Sequence, residues 1–280
     1  MSDVRSRREF LQAAVAAGTT IPAGLSLLAP ARVRAEKRSA NEKLNLGIIG
    51  VAARGGANLN GVSGENIVVL CDIDSKRLGQ AAERFPKAKT YADYRRVFDH
   101  KNLDGVVVST PDHMHAIPVV QALRQGLAVY CEKPLAHSVH EIRTIREETA
   151  KAKVVTQMGT QIHAGNNYRR VVETIQAGTI GPVKRVHVWL GSGVRTGQRV
   201  KQGTPPAHVD YDLWLGPAPY RPFHTSHFHF NWRYWWDFGG GQLADFWCHY
   251  VDLVFWALKL KAPTTVAAQG EKGHDGDNEC

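Results

Sequence analysis

Lys133 lies between Glu132 and Pro134 at the end of an apolar run, Gly126 to Cys131. Proline has no N–H and cannot continue a sheet ladder. This Lys is therefore expected where a strand stops, the end at which open α/β sheets bind ligands. A cationic Nζ there can donate to an oxygen that gains alkoxide character. Farther along, Asp245, His249 and Asp252 are spaced four and three apart. At about 100° per residue they fall within a wedge of roughly 60° on one helix face. A carboxylate one turn from an imidazole can orient its tautomer and raise its basicity, as a base removing a hydroxyl proton requires. A satisfied core His beside a structural carboxylate would have the same spacing. Lys133, Asp245 and His249 together suit oxidation of an alcohol, in which a hydride leaves the carbon and a proton leaves its hydroxyl.

Such a hydride needs an acceptor, and the first apolar run ends in a turn suited to one. Gly50-Val51-Ala52-Ala53-Arg54-Gly55 is a dinucleotide glycine turn with Ala at its middle glycine. Asp72 ends the second run 22 residues after Gly50. A carboxylate there accepts hydrogen bonds from an adenosine ribose and repels a 2′-phosphate, which favours NAD over NADP. Gly50, Ala52, Arg54, Gly55 and Asp72 are thus candidate cofactor residues, with Arg54 a phosphate partner that offsets the extra methyl of Ala52. Asp74 is expected as a helix N-cap. A tight turn in a nucleotide-free α/β domain is the competing reading. The third run ends in Thr110-Pro111-Asp112-His113-Met114-His115. Thr110, Pro111, His113 and His115, with Glu132 and Lys133, complete the expected cofactor wall. The His-x-His pair lacks a nearby Cys or carboxylate to complete a ligand set, so no metal is expected.

Two clusters point to a substrate. His163 and Asn167 follow the fifth apolar run, where they suit either a polyol or plain surface capping. His224, His227 and His229 sit among Phe223, Phe228, Phe230, Trp232, Tyr234, Trp235 and Trp236. Aromatic faces suit sugar C–H surfaces, which makes Trp235 and Trp236 candidate substrate residues; an aromatic core or a subunit interface would have the same composition.

The elements that must position these residues follow from periodicity. Apolar runs 44–50, 67–71, 103–110, 127–131 and 154–158 alternate with helical patterns over 76–85, 117–125, 139–152 and 167–177. Short continuous apolar strands separated by helices predict a parallel sheet covered on both faces, a doubly wound nucleotide-binding domain over 44–181. Gly178 and Gly181-Pro182 punctuate its end. Beyond, 183–190 and 264–269 alternate as strands, and 241–258 has a helical pattern. Residues 273–280 read as a loop, and 182–280 is expected to be an incomplete α+β domain for substrate binding and oligomerisation. The 43% apolar content supports a sizeable core. Lys and Arg exceed Asp and Glu by 35 − 26 = 9, without a basic aromatic stripe, and no nucleic-acid partner is expected. Cys71, Cys131, Cys248 and Cys280 are widely spaced and read as thiols.

Ser6-Arg7-Arg8-Glu9-Phe10-Leu11-Gln12, an Ala- and Gly-rich run to Ala29 and Val33-Arg34-Ala35 resemble a twin-arginine export signal over 1–35. A polar linker, 36–43, follows. The signal predicts a periplasmic protein that folds around its cofactor before export. Gly18, Thr19, Thr20, Pro22 and Gly24 interrupt the apolar run, so no stable membrane span is expected.

The order of glycine turn, Cys71-Asp72, Thr110 to His115, Glu132-Lys133-Pro134, Trp214-Leu215-Gly216-Pro217 and Asp245-Phe246-Trp247-Cys248-His249 resembles the Gfo/Idh/MocA family, and especially its exported branch. The likeness covers about 44–269. It implies a Rossmann domain followed by an α+β domain with an open, mostly antiparallel sheet that often mediates homo-oligomers. It also implies hydride transfer between NAD and a hydroxyl or keto group of a sugar, glycoside or cyclitol. On this resemblance Lys133 contacts the reacting hydroxyl, His249 is the acid/base and Asp245 assists. Such proteins usually run longer, so the second domain is expected to be truncated. A redox-neutral glycoside-cleaving enzyme would use the same residues plus a further base, with His163 or Tyr168 as candidates. A non-catalytic sugar-binding protein is the third reading. Pro134 is expected to be cis, turning Lys133 inward.

Overall fold

The computed structural model describes residues 43–190 and 202–269. The export signal over 1–35, the linker up to Glu42, Cys280 and the loop over 273–280 lie outside the described residues. Six strands form one sheet: β1 (Asn45–Ile49), β2 (Asn66–Cys71), β3 (Lys89–Tyr91), β4 (Gly105–Val108), β5 (Ala128–Glu132) and β6 (Thr156–Gly159). The order is β3-β2-β1-β4-β5-β6, and every pairing is parallel. β1 and β4 consist almost wholly of buried residues, because helices cover both faces of the sheet. The strand order reverses between β1 and β4, and their carboxyl ends open the crevice where such sheets bind ligands.

Helices α1 (Arg54–Gly61), α2 (Ser75–Arg84), α3 (Ala116–Arg124), α4 (Val139–Ala152) and α5 (Asn166–Gln176) alternate with the strands. Asp74 caps α2 by accepting from Lys76 N and Arg77 N at 3.0 and 3.2 Å, as expected for an N-cap. Ser138 and Glu141 form a reciprocal capping box that fixes the start of α4 just beyond Pro134. Glu132 is the last paired residue of β5, opposite Gly159, so Lys133 leaves the ladder at the sheet edge. The Lys133–Pro134 peptide is cis.

The second half packs over the carboxyl ends of these strands. Ser75 N donates to His208 O and Asp210 N to Ile73 O, at 2.8 and 2.9 Å, beside an antiparallel bridge between Asp74 and Val209. A short helix, α6 (Tyr211–Leu215), and an aromatic core of Trp214, Trp232, Trp235 and Phe238 follow. Next come a π-helical turn, Leu243–Trp247, and helix α7, Cys248–Leu258.

Three expectations are corrected. β3 was not predicted, because Lys89-Thr90-Tyr91 has no apolar run; it is a short edge strand whose pairing to β2 defines it. Residues 183–190 and 264–269 form no strand, since neither finds a ladder partner among the described residues, and Trp189 and Val266 are exposed. The mostly antiparallel sheet expected after 182 is therefore absent among the described residues. Cys71 and Cys131 are buried free thiols and Cys248 is a half-buried one. Among the described residues no helix is long and apolar enough to cross a membrane.

Candidate functional site

The glycine turn is built by close approach. A Cβ on Gly55 would lie 2.1 Å from Gly50 O, so glycine alone lets α1 begin this close to β1. Gly50 itself has φ 86° and donates to Cys71 O at 2.8 Å, which joins the turn to the end of β2. There Asp72 accepts from Val51 N and Asp74 N, both at 3.0 Å, while burial pushes its carboxyl above the ordinary range. Both carboxylate oxygens are thus oriented by backbone before any ligand arrives.

A cavity of about 590 Å³ opens in front of this turn, within the range of small-molecule sites. Gly50, Ala52, Arg54, Asp72, Thr110 and Pro111 line it, together with Glu132 and Lys133. Thr110 Oγ1 is buried without a hydrogen-bond partner among the described residues, a polar handle on the wall. The turn that tolerates no Cβ, the oriented acid and this orphaned hydroxyl fit a dinucleotide. Arg54 reaches the wall as an ion pair: its Nε donates to Glu132 Oε1 at 3.1 Å and its Nη2 to Asn58 Oδ1 at 3.2 Å. Glu132 Oε1 also accepts from Asn58 Nδ2 at 2.9 Å. Any contact of Arg54 with phosphate is therefore made by a guanidinium already anchored on Glu132.

Asp72→Ala is expected to weaken NAD binding about tenfold, the loss of one good charge-assisted hydrogen bond, and to narrow the gap between NAD and NADP. Fluorescence titration with both nucleotides reads this; an unchanged ratio removes Asp72 from the ribose site.

At the other end of the cavity Lys133 Nζ donates to the Asp245 carboxylate and to its backbone oxygen. Arg233 Nε lies 3.3 Å from the second carboxylate oxygen, so Asp245 bridges two cations. His249 is buried on the same wall, and its Nδ1 has no partner among the described residues. Burial first, and the Lys133 charge second, hold its pKa below the ordinary value, which keeps the imidazole neutral near pH 7. Asp112 is buried beside them, and desolvation pushes its carboxyl up to about 8.

The sequence expectation for Asp245 needs correction. It pairs with Lys133 and Arg233, and among the described residues no hydrogen bond joins it to His249, which its charge reaches only through space. Asp252 pairs instead with His163, whose Nδ1 lies 2.7 Å from Asp252 Oδ2 and whose ring stacks on Trp256 at 4.1 Å.

His163 and Asn167 do not line the cavity. Trp235 is buried in the aromatic core, and Trp236 is 59% exposed outside the cavity. None of the four expected substrate residues therefore reaches it. His113 and His115 also stand behind the wall: His113 Nε2 is 2.9 Å from Trp214 O. His115 bridges Pro134 O at 2.7 Å and Thr110 O at 2.9 Å, so it ties the turn after β4 to the Lys133–Pro134 turn. Their burial places them as supports rather than cofactor contacts. The wall residues not singled out from sequence include Gln161, Leu213, Phe230 and Arg233. The one signal for Arg233 is that it is the sole Arg in the aromatic run 228–238.

Parallel order, glycine turn and oriented acid define a dinucleotide-binding architecture. Two models of the Gfo/Idh/MocA family match this chain: the oxidoreductase family's NAD-binding Rossmann fold over residues 44–160, and its C-terminal alpha/beta domain over 174–278. The chain belongs to this family. Inositol 2-dehydrogenase of Salmonella typhimurium is 32% identical over 150 residues, 51% of this chain and 45% of that protein. Myo-inositol 2-dehydrogenase of Thermotoga maritima is 27% identical over 141 residues, 49% of this chain and 42% of that protein. The chain thus spans about half the length of the curated relatives it matches. Among solved structures, GenD2 from gentamicin A biosynthesis, in complex with NAD, superposes with a TM-score of 0.57 at 19% identity over 86% of this chain and 57% of that one. The WlbA dehydrogenase of Chromobacterium violaceum, in complex with NADH and UDP-GlcNAcA, gives 0.55 at 20% identity over 79% and 56%. Those two likenesses speak to the fold alone.

Proposed function

We propose that the protein is an NAD-dependent oxidoreductase that interconverts a hydroxyl and a keto group on a cyclitol or sugar. The observation that carries this reading is the Lys133–Asp245 pair, which joins the two halves of the chain on a cavity whose other end is the glycine turn. Gly50, Ala52, Asp72, Thr110 and Pro111 would hold NAD, which when bound supplies the acceptor for the hydride. An ammonium group has three donors, and Asp245 takes two of those on Lys133, leaving one for the substrate oxygen. That donor stabilises the oxygen as its charge grows. His249, neutral and on the same wall, takes the hydroxyl proton. In reduction it returns the proton as an imidazolium.

Nothing on the cavity favours the glycoside-cleaving route over simple hydride transfer. The candidates for its additional base, His163 and Tyr168, do not line the cavity; Tyr168 Oη donates to His249 O at 3.0 Å. Export by the twin-arginine route belongs to the same proposal and rests on Arg7-Arg8 and the run that follows.

The deciding assay follows NADH absorbance with inositols, free sugars and aryl glycosides, and follows aglycone release in parallel. Net NADH with a cyclitol or sugar supports the reading. Aglycone release without net NADH replaces it with the redox-neutral route, and neither product with any substrate refutes it.

A further inference from the structure

The substrate end of the cavity carries more positive charge than it balances. Arg54 has Glu132 as its acid, and Arg77 has Asp74 at 3.5 Å. Lys133 and Arg233, by contrast, share the single carboxylate of Asp245. The neighbouring acid, Asp112, is buried beside the same two cations, and desolvation outweighs their pull, so burial favours its neutral form. His229 and His249, on the same wall, are held neutral by burial.

Arg233 is also well fixed, on a short 3-10 turn, Asn231–Tyr234. Its guanidinium carbon lies 4.3 Å from the Trp232 ring centroid and 4.5 Å from that of Phe230, so the charge is flanked by two aromatic rings. Nη1 donates to Phe230 O at 3.1 Å. Gly239 packs against its backbone, where a Cβ would come within 2.9 Å of Arg233 Cα. Nη2 makes no hydrogen bond among the described residues. The side chain, 21% exposed, lines the cavity with one edge of its fork open.

We propose that Arg233 is a specificity-determining residue that receives a carboxylate borne by the substrate, so that the preferred substrate is an acidic sugar or acidic polyol rather than a neutral one. A planar guanidinium with an open edge matches a carboxylate in a way that neutral hydroxyls do not. The pairing supplies the missing negative charge and leaves Lys133 for the reacting hydroxyl. This inference rests on the dehydrogenase reading only for the role of Lys133; the binding preference stands apart from turnover.

The test is calorimetric titration of the NAD-saturated protein with matched pairs: glucose against glucuronate and gluconate, and galactose against galacturonate. At least one acid is expected to bind about tenfold or more tightly than its neutral parent, and the gap is expected to shrink with added salt. Arg233→Gln is expected to abolish the gap while neutral sugars change within about threefold, and Arg233→Lys to keep part of it. If no acid exceeds its parent in the unaltered protein, the proposal is overturned whatever the variants do. Equal weakening of acid and neutral sugars in Arg233→Gln overturns it too, since that is the mark of a structural tie to Asp245. NADH formation measured alongside separates the two readings. Neutral sugars oxidised with no acid preference would leave the dehydrogenase and remove Arg233, whereas acid preference through Arg233 without NADH would do the reverse.

Discussion

Replacing Lys133 by Ala is expected to lower turnover by about 10²–10³-fold, the scale seen when one donor to a developing oxyanion is removed. NAD affinity is expected to stay within about threefold, because the glycine turn and Asp72 lie at the other end of the cavity. The substitution should not unfold the protein. Asp245 keeps Arg233 at 3.3 Å, so its carboxylate is not left without a cation. Lys133 stands after the last paired residue of β5, so no ladder bond is lost. Steady-state turnover with the best substrate, NAD titration and a thermal melt together check this. Turnover surviving within about threefold, with the cavity intact, would mean that the third donor of Lys133 never meets the reacting oxygen.

Lys133 was legible from sequence because its placement is local. An apolar strand, a residue after it and a proline place it at a sheet edge with no knowledge of the rest of the chain. The glycine turn, Asp72 and the buried strands were legible for the same reason: each follows from a run of neighbours. α2 to α5 begin and end within a residue of the helical patterns that announced them. What failed was non-local. Lys89-Thr90-Tyr91 carries no apolar signal and becomes a strand through its pairing with β2. Asp245 and His249 suggested a carboxylate–imidazole pair by their spacing, but Lys133 and Arg233, brought in from other elements, take the carboxylate instead. The aromatic run illustrates the limit further. Composition marked it as ring-rich, but three-dimensional packing sends Trp235 into the core, leaves Trp236 outside and brings Phe230 and Arg233 to the cavity. His163 had a plausible place after β6, yet Asp252 and Trp256 on α7 hold it away from the site.

The corrected role of Asp245 leads to the other large effect. Asp245→Asn is expected to destabilise the fold by about 3 kcal/mol, the lower end of the range for breaking a largely buried ion pair, because Lys133 and Arg233 would then face a neutral amide. The side chains of Lys133 and Asp245 are 10% and 15% exposed, so water compensates only in part. Turnover should also fall, and the manner of the fall identifies the partner through which Asp245 acts. If it positions Lys133, the Lys133→Ala, Asp245→Asn double variant should turn over about as slowly as Lys133→Ala alone, since residues acting as a unit are not additive. If it acts through His249 instead, the two losses should multiply. The pH profile adds a check with a defined sign. Asp245 raises the proton affinity of His249, while burial and the Lys133 charge lower it. His249 as a base is active when neutral, so activity falls as pH drops through its pKa. Removing the Asp245 charge lowers that pKa further, and the acid limb of kcat/KM should move to lower pH. A limb that stays in place, together with multiplicative losses, would contradict this account of the site: the π-turn would have brought Asp245 to Lys133 without giving that contact a part in the chemistry.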